Sequence, residues 1–263
     1  MKHNKYLDNL CLFLVFAFLF LPIIVLIIFS FNTSKLNIIF EGFTLNWYKE
    51  LFHNTMLLET LRNTLIVAII NTFISVVIGT ISAYALHKYD FKFKKIINEL
   101  LYIPVIIPEI VLGISLLCIY TFIKLELSMF TLILSHIAFS IQFVIINVRS
   151  VLENMSPNLE QAASDLGASR IKTLFYVTIP TLLPGIMSGG LFAFTLSLDD
   201  VVISYFTAGP NSNTLPLQIY SMIKTGVTPS VNALITILLI FIFLFIFLSM
   251  SISLRKLKNE VKL

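Results

Sequence analysis

Three carboxylates interrupt otherwise apolar stretches of this 263-residue chain, namely Glu109, Asp199 and Asp200. An acidic side chain near the centre of a membrane-spanning helix costs about 2.5 to 3.5 kcal/mol on insertion scales, so such residues usually face a bundle interior or a water-filled path. All three charges are negative, and none has an obvious basic partner within the apolar stretches. The set therefore predicts a path for a cationic solute.

Glu109 follows two prolines, Pro104 and Pro108, in a stretch that begins near Leu100. Each proline removes a backbone donor and kinks a helix, which opens room for water or substrate beside the carboxylate. Counting along a helix from Leu100 places Glu109 about 14 Å into a hydrocarbon core that is about 30 Å thick. The alternative is a protonated glutamate that bonds to a carbonyl freed on a neighbouring helix.

Asp199 and Asp200 are adjacent, at about 22 Å along a helix counted from Pro184. Neighbouring residues of a helix point about 100° apart, so the two carboxylates cannot both face one spot. One could line the path while the other caps a helix or binds a partner side chain. For either residue, a polar helix end at the outer interface of the membrane is the alternative.

The elements that must position these residues are membrane-spanning helices. Apolar residues make up 57% of the chain and charged residues 12%, with a mean hydropathy of +0.94, whereas soluble domains are about 25% charged. A helix needs roughly 20 apolar residues to cross a bilayer. Six stretches meet that requirement and predict an all-α, polytopic fold, over residues 10–31, 63–86, 100–123, 127–148, 181–208 and 231–254.

Lys and Arg residues orient these spans, because loops on the cytoplasmic side carry the excess. A cytoplasmic N-terminus leaves few of them outside, namely Lys35, Lys49, Arg62, Lys124 and Lys224. It assigns to the cytoplasm Lys2, Lys5, Lys88, Lys92, Lys94, Lys95, Arg149, Arg170, Lys172, Arg255, Lys256, Lys258 and Lys262. Both termini are then expected in the cytoplasm. The net charge of +4 needs no nucleic-acid partner, since it comes mostly from these orienting residues.

The chain lacks the sequence signatures of ATP hydrolysis and of other catalysis. It has no Gly-Lys dipeptide and hence no phosphate-binding loop, and it has no Gly-x-Ser-x-Gly or His-Glu-x-x-His motif. His136 alone among the histidines lies deep in a predicted span, where a hydrogen-bonded packing role is commoner than catalysis. We therefore expect no catalytic residue, metal or cofactor on this chain, so ATP hydrolysis would have to come from a partner.

A polar segment at residues 160–167, Glu-Gln-Ala-Ala-Ser-Asp-Leu-Gly, separates the fourth and fifth predicted spans on the cytoplasmic side. Ser156 can cap a helix whose first position is Pro157, since proline has no N–H to lose there. Gly167 is placed to end that helix, and a second one is expected to run toward Pro180. The alternative is an ordinary amphipathic connector.

The pattern Glu-x-Ala-Ala, three further residues and Gly, with Ile-Pro about a dozen residues later, resembles the cytoplasmic loop of importer-type ABC-transporter permeases. In that family the loop forms a coupling helix that sits in a groove of the ATP-hydrolysing subunit. The resemblance implies a MetI-like type I importer fold in one permease domain over residues 1–263, with its core at about 60–255 and the coupling loop at 150–180. It assigns the ATPase contact to Glu160, Ala162, Ala163, Asp165, Gly167, Ala168 and Pro180.

Other segments are similar to the polyamine (spermidine/putrescine) importer branch of that family, over residues 103–113, 196–202 and 215–222. That branch commonly has aspartate where this chain has a glutamate. The resemblance implies that polyamine passage is supported by Glu109, Ser197, Asp199, Asp200 and Trp47. Trp47 could offer a cation a π face worth roughly 0.5 to 2 kcal/mol, or it could anchor the chain in an aromatic belt.

The resemblance also implies partners and a location. These are a homologous permease, two ATP-binding subunits that hold ATP and Mg²⁺, an extracytoplasmic polyamine-binding protein, and the lipid of a bacterial cytoplasmic membrane. Nothing in one chain decides between a heterodimer and a homodimer of permeases. Alternatives are a permease of the same family for another solute, a secondary transporter or channel, and a membrane scaffold.

Overall fold

The computed structural model describes residues 5–34, 39–156, 158–223 and 228–260. These residues are helical apart from turns, loops and one isolated β-bridge between Asn32 and Phe43. The helices are α1 Lys5–Phe29, α2 Asn46–Leu51, α3 Thr55–Lys88, α4 Lys94–Leu100, α5 Ile103–Ile106, α6 Glu109–Phe122, α7 Met129–Asn154, α8 Asn158–Asp165, α9 Arg170–Thr173, α10 Ile179–Asp199, α11 Val202–Thr207, α12 Leu215–Ile223 and α13 Pro229–Glu260. A π-helical turn, Leu174–Thr178, joins α9 to α10.

Within the described residues, four helical stretches are long and apolar enough to cross a membrane, over Asp8–Phe29, Thr55–Lys88, Met129–Asn154 and Arg170–Asp199. A fifth arises if the bent pair Lys94–Ile106 and Glu109–Phe122 counts as one span. The described apolar part of α13, Pro229–Leu244, is shorter. The all-α prediction is confirmed, and the described part of the chain shows four or five such spans.

The third predicted span, residues 100–123, is wrong as a single helix. The chain turns by 110° between Lys94–Ile106 and Glu109–Phe122. Ile107 has an extended backbone, with ψ 134°, and Pro108 follows it with ψ 136°. Proline disfavours the helical conformation for the residue before it. Glu109 therefore begins a helix and does not lie within one.

The fifth predicted span, residues 181–208, also ends earlier than expected. The helix stops at Asp199, because Asp200 is extended with ψ 126°, and the short helix α11 follows. At its other end the helical run extends back through the π-helical turn to Arg170.

The chain forms two compact units, and the first contains the described residues of Met1–Leu58 and Ser221–Leu263. In this unit α13 packs against α1 and α2. The side chain of Asn32 organises the loop after α1, since it donates to Ile39 O at 2.7 Å and accepts from Glu41 N at 2.9 Å. Much of α1 is exposed, as expected for a helix that lipid or another subunit would cover.

The second unit, Glu59–Tyr220, is built around α7, which packs along α10. Two glycines of α10 allow this close approach. A Cβ on Gly189 would lie 2.8 Å from Val144 Cα, and one on Gly185 would lie 2.9 Å from Asn147 O. Small residues four positions apart commonly let membrane helices approach at backbone distance. The seam between α7 and α10 therefore has no space for larger side chains.

A buried polar side chain joins α3 to this pair of helices. Asn71 of α3 donates to Ser140 Oγ at 3.0 Å and to Ala193 O at 3.1 Å, and it accepts from Ser75 Oγ at 3.2 Å. Buried amides are stable only when such partners satisfy them. Asn71 thus fixes the position of α3 against α7 and α10.

Candidate functional site

The acidic residues meet around α11, which packs against both α6 and α7. A Cβ on Gly113 of α6 would lie 2.8 Å from Phe206 of α11, so the two helices touch there. Glu109 stands one turn earlier on α6, and Asp199 and Asp200 immediately precede α11. Glu109 consequently interacts electrostatically with both aspartates.

Asp200 is buried, with 8% of its surface exposed. Its Oδ1 accepts from Ile203 N at 3.1 Å, and its Oδ2 accepts from Ser204 N and Ser204 Oγ, each at 2.7 Å. These amides are the free donors at the start of α11, which a carboxylate caps well. Asp200 is therefore the member of the pair that caps a helix, one of the roles predicted for it.

His136 of α7 contacts the same aspartate. Its Nε2 lies 3.4 Å from Asp200 Oδ2 and 3.1 Å from Ser204 Oγ, and its Nδ1 lies 2.7 Å from Ser197 Oγ. His136 exposes 2% of its surface, so it is the hydrogen-bonded packing residue that we expected. The expectation that the acids have no basic partner is wrong for Asp200. Ser197, predicted for the substrate path, is buried within this network.

Asp199 and Glu109, in contrast, are both exposed in the isolated chain. Within the described residues, neither carboxylate has an ion-pair partner. We call Glu109 and Asp199 the exposed acidic pair. Exposed carboxylates without an ion-pair partner are suited to meeting a cation that arrives from outside the protein.

Trp47 lies in the first unit, where its indole N–H donates to Asn32 O at 2.5 Å. Only 8% of its surface is exposed. Its neighbour Tyr48 stacks near Phe31, with ring centroids 5.2 Å apart, and shares a hydrogen bond with Ser30 Oγ. In this conformation the Trp47 ring is packed, and little of its face is open to a cation.

The polar segment forms α8, which ends at Gly167 as predicted. Gly167 has φ +81°, Gly167 N donates to Ser164 O, and Ala168 N donates to Ala163 O. This pair of bonds is a Schellman motif, which favours glycine at the left-handed position. Pro157, predicted as the first helical position, lies outside the described residues. The Schellman motif therefore explains the spacing between Ala163 and Gly167 by the way the helix ends.

Glu160 of α8 accepts hydrogen bonds from three side chains. Lys88 Nζ donates at 2.5 Å and Tyr84 Oη at 3.2 Å, both from α3, and Thr178 Oγ1 donates at 2.7 Å from the turn before α10. Burial raises the pKa of the Glu160 carboxyl, but the bonds from Lys88 and Thr178 outweigh it and hold that pKa below its ordinary value. We call Glu160, Lys88, Tyr84 and Thr178 the α8 clamp.

The other residues predicted to contact an ATPase lie near the surface. Ala162, Asp165, Gly167 and Pro180 are exposed, and Ala163 and Ala168 are half-buried. Leu166, at the end of α8, exposes 90% of its surface. Ile171 and Tyr176 on the following turns are exposed as well, and several large apolar side chains exposed on one segment are typical of a surface that a partner covers.

Several residues of these two sites were not singled out from the sequence. They are Tyr84, Lys88 and Thr178 of the α8 clamp, and Ser204 beside His136. Lys88 lies 72 positions from Glu160, and no local pattern links them. Tyr84 and Lys88 lie four positions apart near a helix end, which places both on one face. This spacing is the only feature of the sequence that links any of these residues to each other.

No group of three or more His, Cys, Asp or Glu side chains suited to a metal ion occurs among the residues that the structure describes. Both cysteines, Cys11 and Cys118, are free and exposed.

Comparison with known proteins connects this architecture to transport. Residues 75–262 match the family described as binding-protein-dependent transport system inner membrane component. The chain is 41% identical over 225 residues to the spermidine/putrescine transport system permease protein PotC of Escherichia coli (strain K12), covering 86% of this chain and 85% of that protein. It is 35% identical over 235 residues to the putrescine transport system permease protein PotI of the same organism, covering 87% and 84%.

A solved structure has the same fold at low identity. It is the crystal structure of a bacterial ABC transporter involved in the import of the acidic polysaccharide alginate. One of its chains aligns with a TM-score of 0.73 and 15% identity, over 94% of this chain and 95% of that one. Given the family match and the sequence relatives, this chain belongs to the family of binding-protein-dependent transport system inner membrane components.

Proposed function

We propose that this chain is the permease subunit of an ATP-driven importer that moves polyamines, such as spermidine and putrescine, into the cytoplasm. The observation that carries the proposal is the exposed acidic pair, Glu109 and Asp199, which has no ion-pair partner within the described residues. The names of the sequence relatives support the same substrate class.

The substrate chemistry suits these residues. A polyamine carries two or more ammonium groups on an apolar stem, so it matches spaced carboxylates set among apolar helices. An anionic solute would instead favour basic residues along the path. The path needs only weak binding, because a site that held the polycation tightly would slow its release.

The proposed topology has six spans with both termini in the cytoplasm. They are α1, α3, the bent segment α4 to α6, α7, α10 and α13. The distribution of Lys and Arg supports this orientation. The bend at Pro108 would then lie within the third span, where irregular backbone is tolerated if it lines a cavity.

Helix α8 is proposed as the coupling helix. Its end at Gly167 and the exposed Leu166 would contact an ATP-binding subunit. Each of the two permeases would contact one such subunit, and these subunits would hold ATP and Mg²⁺. The α8 clamp ties this helix to α3 and to the start of α10. Movement of α8 on closure of the ATPase pair would be passed to both helices, and alternating access would follow.

The test is reconstitution of this chain with the permease, ATP-binding and binding-protein subunits of the same transport system. ATPase stimulation and uptake are measured with binding protein loaded with spermidine, putrescine, thiamine or an oxyanion. We expect stimulation and uptake with polyamines only, and loss of uptake in Glu109→Gln and Asp199→Asn at normal membrane levels. Stimulation by another solute instead, or unchanged uptake in both variants, would overturn the proposal.

A further inference from the structure

Three side chains converge on the buried ring of His136. Ser197 comes from α10, Ser204 from α11, and Asp200 from the two-residue link between these helices, while His136 itself belongs to α7. All four are buried, with exposures of 2% to 8% for His136, Ser197 and Asp200 and none for Ser204. The cluster lies behind the exposed acidic pair and is not itself part of an exposed path surface.

The hydrogen bonds fix which nitrogen of the ring carries a proton. A serine hydroxyl has one proton to donate, and that of Ser204 is directed to Asp200 Oδ2 at 2.7 Å. The oxygen of Ser204 must then accept from His136 Nε2–H, at 3.1 Å. The other ring nitrogen, Nδ1, shares a hydrogen bond with Ser197 Oγ. The imidazole thus links the end of α10 to the start of α11 through oriented bonds.

Helix α11 is held by α7 at both ends. At its start His136 contacts Asp200 and Ser204, and at its end Thr131 Oγ1 donates to Thr207 O at 3.0 Å. The position of α11 matters because it packs against α6, whose first residue is Glu109. Asp200, drawn inward by the same contacts, leaves Asp199 exposed at the end of α10.

We propose that His136 is a positioning residue that sets the spacing of Glu109 and Asp199, and through that spacing the relative rates at which polyamines of different length pass. This inference rests on the proposed function for its substrate class. The imidazole touches no substrate, and it acts by holding Asp200 and α11 in place. Its effect is therefore on discrimination between substrates and not on overall folding alone.

The first measurement is the ratio of spermidine to putrescine uptake at saturating loaded binding protein, which removes the affinity of the binding protein from the comparison. His136→Phe removes the polar contacts of both ring nitrogens, and we expect the ratio to change at least about fivefold, which is the effect of losing one net hydrogen bond of about 1 kcal/mol. His136→Gln can still donate a hydrogen bond to Ser204, so its uptake ratio should stay close to that of the wild type. His136→Asn reaches only the Ser197 side and should not.

Two further variants separate positioning from packing. Asn71→Ala removes a different buried polar contact in the same bundle, so it should lower both uptake rates by the same factor. Ser204→Ala removes the hydroxyl that bridges the ring and Asp200, which leaves only their direct 3.4 Å contact, and it should change the ratio even if His136→Phe fails to accumulate. Equal loss of both rates in Ser204→Ala and in His136→Phe would overturn the proposal.

A measurement without substrate keeps this proposal distinct from the proposed function. In a chain with Cys11 and Cys118 replaced by serine, cysteines placed at positions 109 and 199 are cross-linked with bis-maleimides of graded length. We expect the preferred reagent length to shift or broaden in Ser204→Ala and to stay unchanged in Asn71→Ala. The same shift is expected in His136→Phe, and an unchanged length profile in both Ser204→Ala and His136→Phe would refute the role of His136, whichever solute the importer carries.

Discussion

Lys88 at the end of α3 donates to the Glu160 carboxylate of α8 at 2.5 Å, across 72 positions of sequence. Lys88 also donates to Tyr84 Oη at 2.6 Å, and Tyr84 donates to Glu160, so the contact belongs to a small network. Helix α8 has no buried residue among those described. This short helix is therefore held in place by polar contacts more than by apolar packing.

The first prediction concerns this pair. Glu160→Gln or Lys88→Met should lower the number of substrate molecules moved per ATP several-fold, because α8 loses its attachment to α3, while assembly of the complex persists. The reciprocal change, Lys88→Glu with Glu160→Lys, should recover part of the coupling. Uptake and ATP hydrolysis measured together in proteoliposomes give this ratio.

The control is a second ion pair, which lies a few residues after Lys88 in the sequence. Lys94 contacts Asp90 at 2.8 Å with the aspartate side chain 95% exposed. Such surface pairs contribute about 0 to 1 kcal/mol, so Lys94→Met should leave the coupling ratio unchanged. A similar loss in Lys94→Met and Lys88→Met would argue against a special role for the α8 clamp.

The second prediction is a pH dependence of the clamp. The pKa of Glu160 is lower in the folded protein than its ordinary value, so the clamp contributes its full stabilisation above the ordinary glutamate pKa and loses it as the pH falls through the lowered one. The difference in thermal stability between wild type and Glu160→Gln should therefore be constant at neutral pH and shrink in acid. Melting of the detergent-purified protein across this range tests it, and a difference that grows in acid would contradict the sign.

The third prediction separates the two adjacent aspartates. Asp200→Asn replaces one of the two oxygens that accept three bonds from α11 with an NH2 group and removes the negative charge beside His136, so it should cost about 1 to 3 kcal/mol and reduce the amount of folded protein. Asp199→Asn should leave membrane levels normal and abolish uptake. Quantified membrane levels and uptake rates measure both effects, and the reverse pattern would exchange the two roles.

The fourth prediction tests the seam between α7 and α10. Gly189→Ala would place a methyl group 2.8 Å from Val144 Cα. Such overpacking typically costs about 1 to 3 kcal/mol, which should lower the folded fraction measurably. Gly167 has a positive φ and open space around it, so Gly167→Asn should be tolerated. Fluorescence-detected size-exclusion chromatography of the two variants after heating compares their stability.

Much of the fold could be predicted from the sequence, because apolar stretches of membrane length are a strong local signal. The positions of α1, α3 and α7 follow from it, and so does the helix end at Gly167. The two errors arise where one residue overrides that signal. Pro108 breaks a helix whose hydropathy continues, and Asp200 ends α10 by using its side chain to cap the next helix.

The candidate site was predictable only in part. Asp199 and Asp200 do face different surroundings, but not for the helical reason that predicted it, because Asp200 is extended and lies outside α10. Choosing between them required their partners. His136 lies 64 positions from Asp200 along the chain, and its contact with Asp200 depends on how α7 packs against α11. The α8 clamp is non-local in the same way. Such pairings depend on tertiary packing, which residue spacing does not encode.

One continuous helical run, Arg170–Asp199, joins the segment near the α8 clamp to the exposed acidic pair. The 21 residues that follow Thr178 of the clamp and end at Asp199 span about 32 Å, far beyond the range of about 7 to 10 Å within which substitutions usually influence each other's free energies directly. Changes at Glu160 and Asp199 should thus be energetically independent in a rigid body at rest. If the effects of the two substitutions on the turnover rate are not additive, the difference measures the coupling free energy between the proposed ATPase contact and the proposed substrate path.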